Sequence, residues 1–293
     1  MTRVLERPAA DGRTVGGVLG RAAAELRVGR MVWRREMIHF FRDRTRMAVS
    51  LLQPMLFLYV LGIGLARLFA GSGGGAGAAG DYLLFLFPGV LVMAAQAPAI
   101  SVGSSIVWDR QSGFLREMLV APVARSTLLL GKCLGGAAVA TCQGAVVLAS
   151  AGLVGVPYRL DLFAALLAEL ALAALAMTVL GAVVAVTIRR LQTFNTVLTV
   201  LMGPLLFLSG MMFPVGSMPG WMAGLTLANP ITYAVDAMRH TVLAYHAQRP
   251  STMLFDPVAW GSWHVPLGLE LAIVGGFSAV ALAAASRRFS RTS

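Results

Sequence analysis

Charged side chains are scarce in this chain. They fill 13% of 293 positions, against roughly 25% in an ordinary soluble domain. The shortfall lies in long uncharged runs, which excludes a soluble fold with an evenly greasy core. Lysine is almost missing: Lys132 is the single one among 24 basic residues, so the net charge of +11 is nearly all arginine. Those arginines sit beside apolar runs. Attraction to anionic lipid and membrane orientation therefore explain them, and nucleic-acid binding is not expected. Only two cysteines occur, Cys133 and Cys142. On one helix they lie about 13 Å apart along the axis and point to opposite faces, which excludes a disulfide between them. The four histidines, His39, His240, His246 and His264, form no H-E-x-x-H pair and avoid the interiors of the apolar runs. No catalytic residue and no metal site is expected from that pattern. The N-terminus also lacks the apolar stretch of a cleaved signal peptide, so the first span is expected to direct its own insertion.

Apolar residues are what the chain has in excess, at 57% with a mean hydropathy of +0.75. Crossing about 30 Å of hydrocarbon takes about 20 apolar residues in a helix. Six runs meet that need, near 47–69, 82–107, 129–156, 162–188, 194–215 and 264–286. The expected fold is an all-α polytopic membrane protein with six transmembrane helices over 47–288. Residues 1–17 read as a disordered tail and 289–293 as a short second tail. Between them, 18–46 read as an amphipathic interfacial helix, with Leu26, Trp33, Met37 and Phe40 on one face and Arg27, Arg34, Arg35 and Arg42 on others. Gly71–Gly80 is a Gly/Ala/Ser connection without a fold of its own.

Orientation follows from the arginines. With the N-terminus inside, every basic residue except Arg67, Arg159, Arg239 and Arg249 falls on the inner side. The positive-inside rule selects that arrangement, and six crossings return the C-terminus to the cytoplasm.

Two polar segments stand out. The first is the expected inner loop Trp108–Arg125. Ser112 can cap a short helix over 114–120, and Pro122 ends it. Phe114, Leu115, Met118 and Leu119 give that helix an apolar side, with Arg116 and Glu117 opposite. It can rest on lipid or present a rigid knob to a soluble partner. The second is the expected outer stretch Ala228–Tyr245. Asn229 suits an N-cap and Pro230 the first helical position. Ile231, Val235, Met238, Val242 and Tyr245 then form a helical stripe, and Asp236 can reach Arg239 or His240 on the polar side.

The run Asp109–Arg125, followed by Gly131-Lys132, resembles the inner-loop signature of type-2 ABC export permeases, closest to the daunorubicin-resistance-permease-like branch. The Asn229-Pro230 helix with Asp236 and Arg239 is similar to that family's second recurrent segment. The resemblance covers about residues 28–288. It implies that 114–120 is a coupling helix seated in a separate ABC-type ATPase subunit. Asp109, Arg110, Gly113, Phe114, Arg116, Glu117 and Met118 would then contact that partner. It makes the 18–46 helix a connecting helix, with Arg30, Trp33, Arg34 and Met37 near the same subunit. It also implies short re-entrant helices in the outer leaflet over 216–263. A second permease chain, identical or paralogous, would complete the route, lined by the first, second and fifth spans. The setting would be a bacterial plasma membrane and its lipid. The cargo would be a hydrophobic or amphipathic drug or metabolite, a lipid or a lipid-linked glycan; Arg-heavy, Lys-poor, Ala- and Gly-rich usage points to a high-GC bacterium and favours the first.

The residues themselves argue for a partner. A phosphate-binding loop needs G-x-x-x-x-G-K-[ST] after a strand. The one Gly-Lys here, Gly131-Lys132, has Ser126 at the first glycine position and Cys133 after the lysine. ATP and magnesium are therefore expected on another polypeptide, with no cofactor bound by this chain. Three ionisable residues fall inside expected spans: Arg67, Glu169 and Glu270. They could form a polar vestibule for substrate, a structural pair of Arg67 with one glutamate, or snorkel to the interface. An ion-coupled secondary transporter is the alternative from another class. It fits less well, because the midplane is nearly free of charge and no internal repeat is evident.

Overall fold

The computed structural model describes residues 15–69, 75–112, 125–246, 254–261 and 263–291. Helix α1 spans Val15–Arg42 and α2 spans Arg44–Leu56. Pro54 lies inside α2 and cannot donate its backbone bond. The next turn widens into a π-helix, Phe57–Gly62, before α3, Ile63–Phe69. Then come α4 (Gly75–Gln111), α5 (Arg125–Leu148), α6 (Leu160–Thr187) and α7 (Leu191–Phe207). Two shorter helices, α8 (Gly220–Ala228) and α9 (Pro230–Ala244), precede α10 (Leu267–Arg291).

Five helical segments are long and apolar enough to cross a membrane: Met47–Leu68, Ala79–Gln111, Ser126–Leu148, Leu160–Thr187 and Leu267–Phe289. The fifth apolar run of the sequence folds as the shorter Leu191–Phe207. Seventeen residues reach only about 25 Å at 1.5 Å each, less than the hydrocarbon thickness. Pro204 lies in its last turn, and the chain leaves the helix through Leu208–Gly210. Helix boundaries also shift from the sequence reading elsewhere. The first helix stops at Arg42 and the chain breaks at Asp43. The third run leaves α5 at Leu148 for a 3-10 turn, Ala151–Val154, capped by Gly155 at φ 88°. The fold is also not purely helical: Ala259–Trp260 pairs antiparallel with Trp263–His264.

Helix α4 occupies the centre. It packs against α3, α5, α6 and α7, and residues 84–95 are all buried. Its sequence is apolar on every side, as a helix enclosed on all faces must be. Close approach is set by small residues. A Cβ at Gly103 would stand 2.4 Å from Phe194 and 2.9 Å from the Gly181 carbonyl, and one at Gly136 would stand 2.0 Å from Val102. Side chains there would wedge α4 away from α6 and α5. Hydroxyls within the helices bond back one turn, Thr141 to Ala137, Thr178 to Ala174 and Ser278 to Val274, which satisfies them without water.

The outside of the bundle is as apolar as its inside. Leu52, Leu56, Val60, Leu68, Leu160, Val200 and Val280 are all more than half, or half, exposed. A water-soluble protein does not present so continuous an apolar surface; hydrocarbon is its matching solvent.

Candidate functional site

Buried charge collects at the two opposite ends of the bundle. At one end, Lys132 on α5 pairs with Asp109 near the end of α4 and donates a 3.0 Å hydrogen bond to Ser105 Oγ, one turn away. Both side chains are 6% exposed. Arg110 Nη1 reaches the Val186 carbonyl at 3.5 Å, and Gln111 Nε2 donates to the Arg189 carbonyl at 3.2 Å. Arg288 Nη1 donates to Thr187 Oγ1 at 3.0 Å. The ends of α4, α5, α6 and α10 are thus tied together at this end.

Helix α1 runs along the same part of α5. A Cβ at Gly131 would lie 3.2 Å from the Gly29 carbonyl, and one at Gly135 would lie 3.2 Å from Glu36 and 3.3 Å from the Trp33 backbone. Gly29, Val32 and Glu36 face α5. Arg30, Trp33 and Arg34 stay exposed, and Met37 is half-buried. The face packed on α5 is thus the one carrying Gly29, Val32 and Glu36. Glycines, which carry no hydrophobicity signal, set the contact.

Asp109, read from the resemblance as a partner contact, is buried, and its carboxylate turns onto Lys132. Arg110 is half-buried against α6. Gly113, Phe114, Arg116, Glu117 and Met118 lie outside the described residues.

At the other end, α9 is held by a denser network. Asn229 accepts from Ile231 N at 3.0 Å as the N-cap and donates to the carbonyls of Leu205 (2.6 Å) and Leu208 (3.3 Å), with Pro230 opening the helix. Arg239 Nη1 donates to Asp236 Oδ1 at 3.3 Å, and Nη2 donates to the Gly210 carbonyl at 2.9 Å. Gly210 has φ 68°, a left-handed conformation that suits glycine and aims that carbonyl. The guanidinium lies over the Phe85 ring, 3.9 Å from its centroid. Asp236 Oδ2 accepts from Val258 N at 2.8 Å. Burial pulls the Arg239 guanidinium below its ordinary pKa, and the Asp236 carboxylate opposes that pull.

The sequence reads α9 as amphipathic, with a polar side at the interface. The structure instead buries residues 231–239 all round. The polar side faces protein, because Val258, Gly210 and two glutamates from other helices are brought to it. Glu169 on α6 accepts from Thr241 Oγ1 at 2.5 Å. Glu270 on α10 lies 3.6 Å from His240 Nδ1. Arg67 stays exposed and is not paired with either glutamate among the described residues. The three intramembrane charges therefore do not form one unit: the glutamates join α9 and Arg67 does not.

A feature the sequence reading passed over lies on α7. Gln192, Thr193, Asn195, Thr196 and Thr199 are exposed on an otherwise apolar helix. Their spacing of three and four was the available signal. On the first span, Leu52, Gln53, Leu56, Val60, Leu61 and Gly64 line an open groove. The middle of the second span, α4, is enclosed by its own chain over residues 84–95.

Long apolar helices with charge confined to the bundle ends define a multi-pass membrane protein, and the chain's relatives define its kind. Residues 28–243 match the ABC-2 type transporter family. The chain belongs to that family and is a transport permease of the ABC-2 type. It is 30% identical to the probable multidrug ABC transporter permease YbhR of Escherichia coli K12 over 56% of this chain and 45% of YbhR, so it spans under half of that relative. It is 26% identical to the inner membrane transport permease YadH of the same strain, over 72% of this chain and 81% of YadH. Nodulation protein J of Rhizobium leguminosarum bv. trifolii is 28% identical, over 73% of this chain and 80% of that protein.

Proposed function

We propose that this chain is the membrane-spanning subunit of an ATP-driven exporter, one of two permease chains energised by a separate ABC-type ATPase. Family membership over residues 28–243 carries the reading. The lack of any phosphate-binding loop supports it, since the energy source must then lie on another polypeptide. Six crossings with both termini cytoplasmic fit the arginine distribution, in a bacterial plasma membrane. The Lys132 end then faces the cytoplasm, where α1 and the 113–124 segment form the ATPase contact, with Glu117 and Arg116 at its centre. The Arg239 end faces outward.

The transport route runs between the two permease chains. Polar side chains in a span normally face protein or water, not lipid. The exposed Gln192, Asn195, Thr196 and Thr199 of α7 and the groove on the first span therefore mark the faces turned to the second chain and to the substrate. A groove that apolar takes a hydrophobic or amphipathic cargo, a drug or secreted metabolite first, with a lipid or lipid-linked glycan as the alternative. YbhR's name as a probable multidrug permease favours the first.

Affinity purification of the full chain from its native membranes in mild detergent tests this. An ABC-type ATPase should co-purify in a fixed ratio, and vesicles holding the complex should accumulate amphipathic cargo only with ATP inside the correct compartment. Transport by the isolated chain driven by an ion gradient would contradict it.

A further inference from the structure

Three residues of the Arg239 end also come together as a group. Asp236, His240 and Glu270 each place one ligand-type atom within 4.8 Å of the other two. The imidazole lies between the carboxylates, Nδ1 3.6 Å from Glu270 Oε2 and Nε2 3.9 Å from Asp236 Oδ2. Both separations are too long for hydrogen bonds. One ring nitrogen can serve one ion, and the Nδ1–Glu270 separation is close to the roughly 3.4 Å between two ligands of a tetrahedral ion with bonds of about 2.0–2.2 Å, while one atom from each of the three residues stays within 4.8 Å of the others.

Glu270 supplies an independent sign. It is 0% exposed, and neither of its carboxylate oxygens has a hydrogen-bond partner. A carboxylate sealed in that way is costly without a counter-charge. Among the described residues, Arg239 bonds Asp236 and the Gly210 carbonyl and not Glu270.

We propose that Asp236, His240 and Glu270 form a binding site for a first-row divalent cation, Zn²⁺ being the best match to one imidazole and two carboxylates. The ion joins α9 to the first turn of α10 and so fixes the short helix against a long one. His240 keeps 27% of its side chain exposed, which gives the ion a way in. Sequence spacing shows only half of the site: Asp236 and His240 are one turn apart, while Glu270 comes from another helix. The site does not depend on the transport reading, and its test reads binding, not transport.

The full chain is purified with a tag free of histidine, stripped with a chelator and titrated with Zn²⁺ in detergent. One ion retained per chain after desalting, with a higher unfolding temperature, is the expected result. Glu270→Gln and His240→Asn should each lose both effects, while His264→Asn, outside the cluster, should keep them. If Glu270→Gln does not fold, His240→Asn decides alone, because that ring is partly exposed. A wild-type chain that retains no ion and shows no Zn²⁺-dependent shift would overturn the proposal. So would retention that is unchanged in His240→Asn.

Discussion

Replacing Arg239 with alanine is expected to leave little folded protein in the membrane. The guanidinium bonds Asp236 and the Gly210 carbonyl and covers the Phe85 ring. It joins α9, the turn after α7 and α4 through one side chain. Its loss also strands the Asp236 carboxylate beside Glu270. Breaking one side of a buried ion pair costs about 3–5 kcal/mol, a large part of the roughly 5–15 kcal/mol that holds a typical domain folded. Arg239→Lys should fall between, since an ammonium keeps the charge but lacks the fork that reaches two acceptors. The yield of monodisperse protein and its unfolding temperature in detergent measure the effect. Arg239→Ala with wild-type values would show that the pair does not hold α9.

The second large effect is expected at the opposite end. Lys132→Met leaves Asp109 buried without its counter-charge and should again cost about 3–5 kcal/mol. Removing both charges, as Lys132→Met with Asp109→Leu, should recover most of the loss, because an apolar pair of similar volume needs no desolvation. That recovery separates an ion pair from two independent contacts. Thermal unfolding of the four proteins completes the cycle. If the double variant is as unstable as the sum of the singles, Lys132 and Asp109 do not act as a pair.

The two ends were not equally legible in the sequence. Helices long enough to span announced themselves by composition. Asn229 and Pro230 were legible as a helix start because capping is local chemistry. Asp236 with Arg239 was legible because residues three apart share a helix face. Their burial was not, since it depends on Gly210, Val258 and Glu270, all distant along the chain. The Lys132–Asp109 pair was missed for the same reason: the two lie on different helices, and the residues around Asp109 suggested an exposed loop. Along α1 the aromatic face drew attention, while contact with α5 was set by Gly29, Gly131 and Gly135. Close approach by glycine is a matter of shape, and hydropathy does not register it.

The central claim is that this permease takes its energy from a partner ATPase through the segment between α4 and α5. Charge reversal at Arg116 and Glu117, in the full complex reconstituted in vesicles, tests it most directly. The account predicts that the ATPase dissociates or that its ATP hydrolysis no longer drives transport, while the permease itself stays folded with wild-type thermal stability. Intact ATPase binding together with wild-type coupled transport would contradict it.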